Sequence, residues 1–274
     1  MGVPTASAPD TTPVAGAPST ATPTPAQSPI SIPEGDPSVI TSMITCPGGD
    51  GAEIMAYEAR PVAGEGTPVG TALPLVLICH ENRGLTDHIK DIARRWASNG
   101  YAATALDLLS REGGTSGVAD PSQIPSILSD GDPNRHVADF QAAIVHYQSD
   151  DTVDSARIGM NGFCFGGGIT WRTVSAAPEI IAAAPFYGPP PPLEAVPNIE
   201  AAVLGVYAED PEDFANNGRD ELKAALTAAG TTFEIKVYPG TQHAFNNDTG
   251  PRYNEEQALA AWRDTLDWFS QRLG

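Results

Sequence analysis

Residues 157–168, which read RIGMNGFCFGGG, decide the fold. Arg157 to Asn161 has the apolar, short character of a β-strand, and it runs directly into a glycine-rich turn around Cys164. Flanking glycines are needed where a strand turns sharply into a helix, because larger side chains would collide with the backbone there. The pattern G-x-C-x-G therefore predicts a nucleophile elbow with Cys164 above the carboxyl edge of a sheet.

Two other interpretations of this stretch stay open. It could be a glycine-rich turn around a small buried cysteine, or a loop that binds phosphate. A Walker-type phosphate loop needs a Lys after its glycines, and Ile169-Thr170 occupy that place. The elbow is preferred because a following helix would direct free N–H groups and its positive dipole end at the sulfur, which stabilises a thiolate and an oxyanion.

Outward from the elbow, apolar runs alternate with amphipathic stretches, which predicts an α/β domain with a mostly parallel central sheet. We expect about seven or eight strands flanked by four or five helices. The predicted strands are Leu73 to Cys79, Tyr101 to Leu106, Arg157 to Asn161, Ile180 to Phe186, Ala201 to Tyr207 and Thr232 to Tyr238. The predicted helices cover Ile89 to Trp96, Val137 to Tyr147, Gly218 to Ala229 and Glu255 to Arg272.

The first 38 residues differ in composition from the rest. Residues 1–37 hold nine of the 26 prolines, with no aromatic residue, Lys or Arg. Such a tract has too few bulky apolar groups to offset the entropy of ordering. We therefore predict a disordered linker or tail over residues 1–38 and one domain over residues 39–274. A Pro/Thr/Ala tract of this kind slightly favours an exported or membrane-tethered protein, with a cytoplasmic protein as the alternative.

Charge and cysteine content exclude several classes of protein. The chain has 15 Lys and Arg against 34 Asp and Glu, a net charge of −19. We expect no nucleic-acid partner, because that affinity comes mainly from cationic side chains. We expect no membrane insertion either, since no apolar run approaches the roughly 20 residues that a spanning helix needs. Three cysteines, Cys46, Cys79 and Cys164, exclude a disulfide framework.

His243 is the best candidate for a general base among the five histidines. It lies in Pro239-Gly-Thr-Gln-His-Ala-Phe245, just beyond the last predicted strand, where a base can reach over the edge of the sheet. No histidine pair has the H-E-x-x-H spacing of a zinc site, so we predict no metal.

A third group should orient the imidazole, and it belongs in the acidic turn Ala208-Glu-Asp-Pro-Glu-Asp213. We predict Asp210, the first Asp past the strand that ends at Tyr207, with Glu212 and Asp213 as alternatives. The order Cys, Asp, His along the chain is the order that α/β-hydrolases use.

Two further segments carry candidate site residues. Glu81 and Asn82 follow the strand that ends at Cys79, and the N–H groups of Asn82 and Phe165 are the predicted oxyanion hole. An ionised Glu81 near the nucleophile would oppose thiolate formation, so it either points into a salt bridge or takes part in gating Cys164. Arg111 is the predicted anchor for a substrate carboxylate, with surface ion pairing as the alternative.

The sequence resembles the dienelactone hydrolase family of α/β-hydrolases. The resemblance rests on motifs that span nearly the whole chain after the linker: His80-Glu-Asn-Arg-Gly84, Asp107-Leu-Leu-Ser-Arg111, Gly162-Phe-Cys-Phe-Gly-Gly and Tyr238-Pro-Gly-Thr-Gln-His243-Ala-Phe. It implies the α/β-hydrolase fold and cofactor-free hydrolysis of enol-lactones or small esters by a Cys-His-Asp triad. It also implies that the acid at Glu81 restrains the resting cysteine and that Arg111 binds the substrate carboxylate.

One position departs from the family pattern. A second carboxylate-binding arginine stands four residues after the triad histidine in the dienelactone enzymes, and this sequence has Asn247 there. Arg252 is the nearest replacement. We expect the substrate to be a small lactone or ester, and we separately expect a monomer or small homo-oligomer. The alternative is a catalytically silent binding protein of the same fold.

Overall fold

A computed structural model describes residues 1–2, 28–62 and 71–274 of the protein. Within these residues the chain forms eight strands and six α-helices. The strands are β1 (Val39–Pro47), β2 (Glu53–Pro61), β3 (Leu73–Cys79), β4 (Ala102–Leu106), β5 (Val153–Phe163), β6 (Ile180–Phe186), β7 (Ala202–Ala208) and β8 (Phe233–Tyr238). The helices are α1 (Asp87–Ser98), α2 (Ile124–Asp130), α3 (Pro133–Tyr147), α4 (Phe165–Val174), α5 (Arg219–Ala229) and α6 (Glu255–Leu273).

All eight strands belong to one sheet in the order β1-β2-β4-β3-β5-β6-β7-β8. From β4 through β8 every neighbouring pair is parallel, while β1 pairs with β2 and β2 pairs with β4 in antiparallel fashion. The prediction of a mostly parallel sheet flanked by helices is confirmed. The antiparallel hairpin of β1 and β2, which the sequence analysis did not locate, extends one edge.

Helices cover both faces of the sheet, so the central strands are buried on two sides. On one face α1 and α6 pack through aromatic side chains, with the rings of Trp96 and Trp262 5.0 Å apart and those of Trp96 and Phe269 4.7 Å apart. On the other face Phe140 of α3 and Trp171 of α4 are fully buried. This double burial explains the continuous apolar run of β3, which is typical of parallel sheets.

The register of the parallel strands brings the candidate site residues to one edge of the sheet. Cys79 at the end of β3 pairs with Gly162 near the end of β5, and Ala208 at the end of β7 pairs with Tyr238 at the end of β8. The loops that leave these four strands therefore emerge side by side, as the carboxyl ends of parallel strands require.

Residues 28–38, here called the N-terminal strap, are packed on the domain, contrary to the predicted disorder of residues 1–38. The Ser28 N–H donates to Asp248 at 3.1 Å, and the Ile32 N–H donates to Asp91 at 2.7 Å. Glu34 accepts hydrogen bonds from Arg94 and the Tyr57 hydroxyl, both at 2.7 Å. The composition of the strap does not indicate this packing, because the strap binds through its backbone N–H groups and through buried charged residues of α1. Residues 3–27, which belong to the same predicted tail, lie outside the described residues.

Within the described part of the chain, no helix has both the length and the apolar character that crossing a membrane requires.

Deleting residues 1–38 is expected to lower the free energy of unfolding by about 2–4 kcal/mol, since buried Asp91 and Asp248 lose hydrogen-bond donors. Urea denaturation followed by circular dichroism measures the change. The matched control deletes residues 1–27 and keeps every strap contact. Equal stability of the two truncated proteins would show that the strap contributes nothing.

Candidate active site

Cys164 lies at the sharp turn between β5 and α4, as the elbow motif predicts. It is the N-cap residue of α4 and has a positive φ of 56° with ψ of −116°. A positive φ is unfavourable for a residue with a side chain, and such strain persists only where the surrounding structure enforces it. The residue is 8% exposed and lines two cavities, so a small molecule can approach it.

The glycines of the elbow are required by close packing of the helix on the sheet. A Cβ on Gly162 would lie 2.2 Å from the Thr170 hydroxyl oxygen, and one on Gly166 would lie 2.3 Å from the Cys79 carbonyl oxygen. Both distances are shorter than any tolerable contact, so only glycine fits. This packing holds the first turn of α4 against the end of β3, next to the loop that carries Glu81 and Asn82.

His243 is held by Asp213. Its Nδ1–H donates to Asp213 Oδ1 at 2.8 Å, and the Asp213 side chain is fully buried. The other ring nitrogen, Nε2, is buried without a hydrogen bond of standard geometry to the described residues. His243 and Cys164 line the same cavity, so the imidazole faces the nucleophile candidate.

The prediction of Asp210 as the partner of His243 is wrong, and the alternative Asp213 takes that place. The Asp210 side chain accepts from the Glu212 N–H at 3.0 Å, which closes a turn in the loop after β7. Because Asp210 is used in this turn, the residue that contacts the imidazole is Asp213, three positions later in the chain. Glu212 itself is exposed.

The surroundings of His243 favour its protonated form. Burial by itself lowers the pKa of the imidazole, but the hydrogen bond with Asp213 and the interaction with Cys164 outweigh burial and raise the pKa to about 9. A raised pKa means that the imidazolium is stabilised between a carboxylate and a sulfur. That is the charge a general base acquires when it accepts a proton from a thiol.

Phe165 and Asn82, whose N–H groups are the predicted oxyanion hole, both line the cavity that Cys164 lines. Phe165 is the first residue of α4, so its N–H has no carbonyl partner within the helix. The Asn82 N–H is likewise absent from the backbone hydrogen bonds of the described residues. Two free N–H groups beside the sulfur can receive an oxygen that becomes negatively charged.

Glu81 is buried beside Cys164, and Asn247 holds its carboxylate. The Asn247 side-chain N–H donates to Glu81 Oε2 at 2.6 Å, while Oε1 is buried without a partner among the described residues. The predicted salt bridge of Glu81 is therefore not formed. Asn247, the position where the family pattern has arginine, supplies a neutral hydrogen bond to the acid.

The predicted role of Arg111 as a carboxylate anchor is wrong. Its guanidinium makes two hydrogen bonds to Asp139, both 2.8 Å long, and two to Asp50. These pairs raise the pKa of Arg111 further above its usual range. Arg111 borders neither cavity that contains Cys164, so the alternative, an ion pair that supports the fold, applies.

Two cavities meet at Cys164 and differ in character. The apolar cavity, of about 470 Å³, is lined by Asn82, Pro125, Ser126, Ser129, Pro133, Cys164, Phe165, Gly168, Ile169, Arg172, Pro189 and Phe214. The charged cavity, of about 450 Å³, contains Glu81, His243 and the predicted Arg252, together with Arg83. Arg252 is exposed, and no hydrogen bond or ion pair holds its side chain among the described residues.

Sequence reasoning did not single out Tyr187 or Phe214, whose rings lie 5.0 and 4.7 Å from that of His243. Tyr187 has a positive φ of 36°, and Ala244, next to the imidazole, has one of 65°. With Cys164 these are the three non-glycine residues of positive φ in the described chain, and all three border the site. Backbone strain of this kind gives no signal in a sequence.

No group of three or more His, Cys, Asp or Glu side chains is placed to hold a metal ion within the described ranges.

The sheet order and the strand-elbow-helix at Cys164 define the class of protein: the chain is an α/β-hydrolase. The profile of the dienelactone hydrolase family matches residues 62–273. The chain therefore belongs to the dienelactone hydrolase family, which confirms the resemblance seen in its motifs.

Individual relatives agree with this assignment. The chain is 34% identical over 246 residues to the Salmonella typhi protein named "Putative carboxymethylenebutenolidase", which covers 86% of this chain and 89% of that protein. A protein of the same name from Methylorubrum extorquens is 35% identical over 244 residues, with 85% and 81% covered. The crystal structure titled "Putative Dienelactone Hydrolase" from Klebsiella pneumoniae has a TM-score of 0.76 and 31% identity, covering 85% of this chain and 99% of that one.

Replacing Asp213 by Asn is expected to lower the pKa of His243 below about 9, because the imidazolium loses the carboxylate charge at Nδ1. Titration of the ring protons by NMR measures this value. Asp210→Asn is the matched control and should leave the His243 pKa unchanged. A larger shift in the control than in Asp213→Asn would restore Asp210 as the partner.

The same pair makes stability depend on pH. A histidine whose pKa rises from 6.5 to about 9 on folding stabilises the protein fully below pH 6.5, and this contribution is lost as the pH rises through 9. Urea denaturation should therefore show a steeper loss of stability over this window for wild type than for Asp213→Asn.

Arg111→Gln is expected to lower the free energy of unfolding by about 2 kcal/mol, because the buried Asp139 carboxylate loses its cationic partner. Chemical denaturation measures the loss. The double variant Arg111→Gln/Asp139→Asn removes the unpaired charge and should recover part of the lost stability. No loss in the single variant would contradict the structural role.

Proposed function

We propose that the protein hydrolyses a lactone or small carboxylic ester without a cofactor, through a triad of Cys164, His243 and Asp213. The observation that carries the proposal is an imidazole held by a fully buried carboxylate in the same cavity as a cysteine at a strained elbow. The relatives described above support a hydrolase of the dienelactone hydrolase type. The ester or lactone substrate and the roles of the three residues are our proposal.

In the first half of the reaction, His243 Nε2 accepts the proton of the Cys164 thiol and the sulfur attacks the carbonyl carbon. The carbonyl oxygen becomes negative and takes hydrogen bonds from the N–H groups of Phe165 and Asn82. As the tetrahedral intermediate collapses, the bond from carbon to the leaving oxygen breaks. His243 returns the proton to that oxygen, which leaves a thioester on Cys164.

In the second half, His243 accepts a proton from water, whose oxygen attacks the thioester carbon. The carbon–sulfur bond then breaks, the acid product leaves, and the proton returns to the Cys164 thiolate. Asp213 stays ionised throughout and stabilises the imidazolium at Nδ1.

A cysteine nucleophile sets the substrate class. Thiolate is a good leaving group, so the tetrahedral intermediate returns to substrate unless the other leaving group is comparably good. An aryl ester or an enol-lactone meets that condition, since both release a weakly basic oxygen. Amides do not, so we propose esters and lactones and not peptides as substrates.

A catalytically silent binding protein of the same fold is the competing proposal. It requires a pocket that holds a ligand without turnover. The imidazole that Asp213 holds in the same cavity as Cys164 favours the hydrolase, because a binding site has no need of an oriented base next to a thiol.

Cys164→Ala and His243→Ala are each expected to lower kcat/KM for p-nitrophenyl acetate by at least about 10³-fold, because each removes a group that makes or receives a bond in the reaction. Release of p-nitrophenolate is measured by absorbance. His146→Ala, a half-buried histidine on α3 outside both cavities, is the matched control. Full activity of either triad variant would end the assignment, and no turnover by wild type would favour the binding protein.

A further inference from the structure

One face of α4 runs from the elbow along the floor of the apolar cavity. Phe165, Gly168, Ile169 and Arg172 all line this cavity, and their spacing of three, four and seven residues places them on one side of the helix. The opposite wall comes from α2 and the start of α3, through Pro125, Ser126, Ser129 and Pro133. The cavity is therefore a trough that begins at Cys164 and ends at Arg172.

The trough has an unusual charge for this protein. The chain carries 34 acidic against 15 basic residues, yet the residues that line the trough include an arginine and no Asp or Glu. No hydrogen bond or ion pair holds the Arg172 side chain among the described residues, whereas Arg60, Arg94, Arg95 and Arg111 each contact a carboxylate. A guanidinium without a protein partner at the end of an apolar trough is suited to an anion on a ligand.

The trough is placed to take the acyl part of an ester. In the proposed mechanism His243 protonates the leaving oxygen, so the leaving group must lie on the side of His243. His243 lines the charged cavity and not the trough. The acyl chain therefore extends in the other direction, along Phe165 and Ile169.

We propose that the preferred substrates are esters or lactones whose acyl chain ends in a carboxylate, and that Arg172 is the residue that binds this carboxylate. The proposal rests on the proposed hydrolase function. Seven helical residues span about 10 Å, and side chains on a helix tilt toward its N-terminus, which brings the guanidinium back toward the elbow by part of this length. Several apolar carbon atoms must therefore separate the carboxylate from the reacting carbonyl, where Phe165 and Ile169 can cover them.

The first experiment compares mono-p-nitrophenyl esters of adipic and suberic acids with the p-nitrophenyl esters of hexanoic and octanoic acids. Each pair matches the number of carbon atoms and the leaving group, so only the terminal charge differs. In wild type we expect the acidic ester to have the higher kcat/KM. Arg172→Gln should lower the ratio of acidic to neutral kcat/KM about tenfold, chiefly through KM, as the loss of one charge-assisted contact implies.

Two variants make the test specific. Arg172→Lys keeps the charge and should retain part of the preference. Arg263→Gln, an exposed arginine of α6 that lines neither cavity, removes the same charge elsewhere and should leave the ratio as in wild type. An equal fall in the ratio for Arg263→Gln, or an unchanged ratio for Arg172→Gln, would overturn the proposed role of Arg172.

A second readout does not depend on turnover. Suberate should protect Cys164 from alkylation by iodoacetamide in wild type and about tenfold less well in Arg172→Gln. Protection without hydrolysis of any ester would refute the proposed hydrolase but keep the anion site. Hydrolysis of neutral esters with no preference for acidic ones and no protection by suberate would refute the anion site alone.

Discussion

The close approach of the first turn of α4 to the end of β3 is the constraint on which the site depends. Gly166 lies where a Cβ would be 2.3 Å from the Cys79 carbonyl oxygen and 2.5 Å from that of His80. Because no side chain can separate the two segments, Phe165 and Asn82 line one cavity with Cys164. Backbone packing thus fixes the relative positions of the proposed oxyanion site and the proposed nucleophile.

Charge is distributed unevenly around this backbone frame. The buried carboxylates of Asp139 and Asp213 have cationic or ionisable partners, Arg111 and His243 respectively. Arg172 and Arg252 border the cavities without such partners. Whether an arginine has a carboxylate partner is a relation that only coordinates reveal.

The sequence predicted what depends on local pattern. Leu73–Cys79 and Ile180–Phe186 coincide with β3 and β6, because a continuous apolar run bounded by turns has few other uses. Cys164 and His243 could be chosen as candidate site residues because each lies just beyond a predicted strand. The sequence did not identify the correct partner of His243, because the choice of Asp213 over Asp210 depends on the path of the loop after β7. The sequence analysis predicts that Arg111 binds a substrate carboxylate. Its actual partner, Asp139, is 28 residues away, so no local pattern indicates this ion pair.

The loop after β8 is held at three points, and these explain how its imidazole keeps its place despite the positive φ of Ala244. His243 binds Asp213, Asn247 binds Glu81, and Asp248 binds His88, Arg95 and the backbone of the strap. Each anchor comes from a different part of the chain. Since strained backbone persists only where its surroundings enforce it, the strap and α1 contribute to positioning the imidazole although neither contacts it.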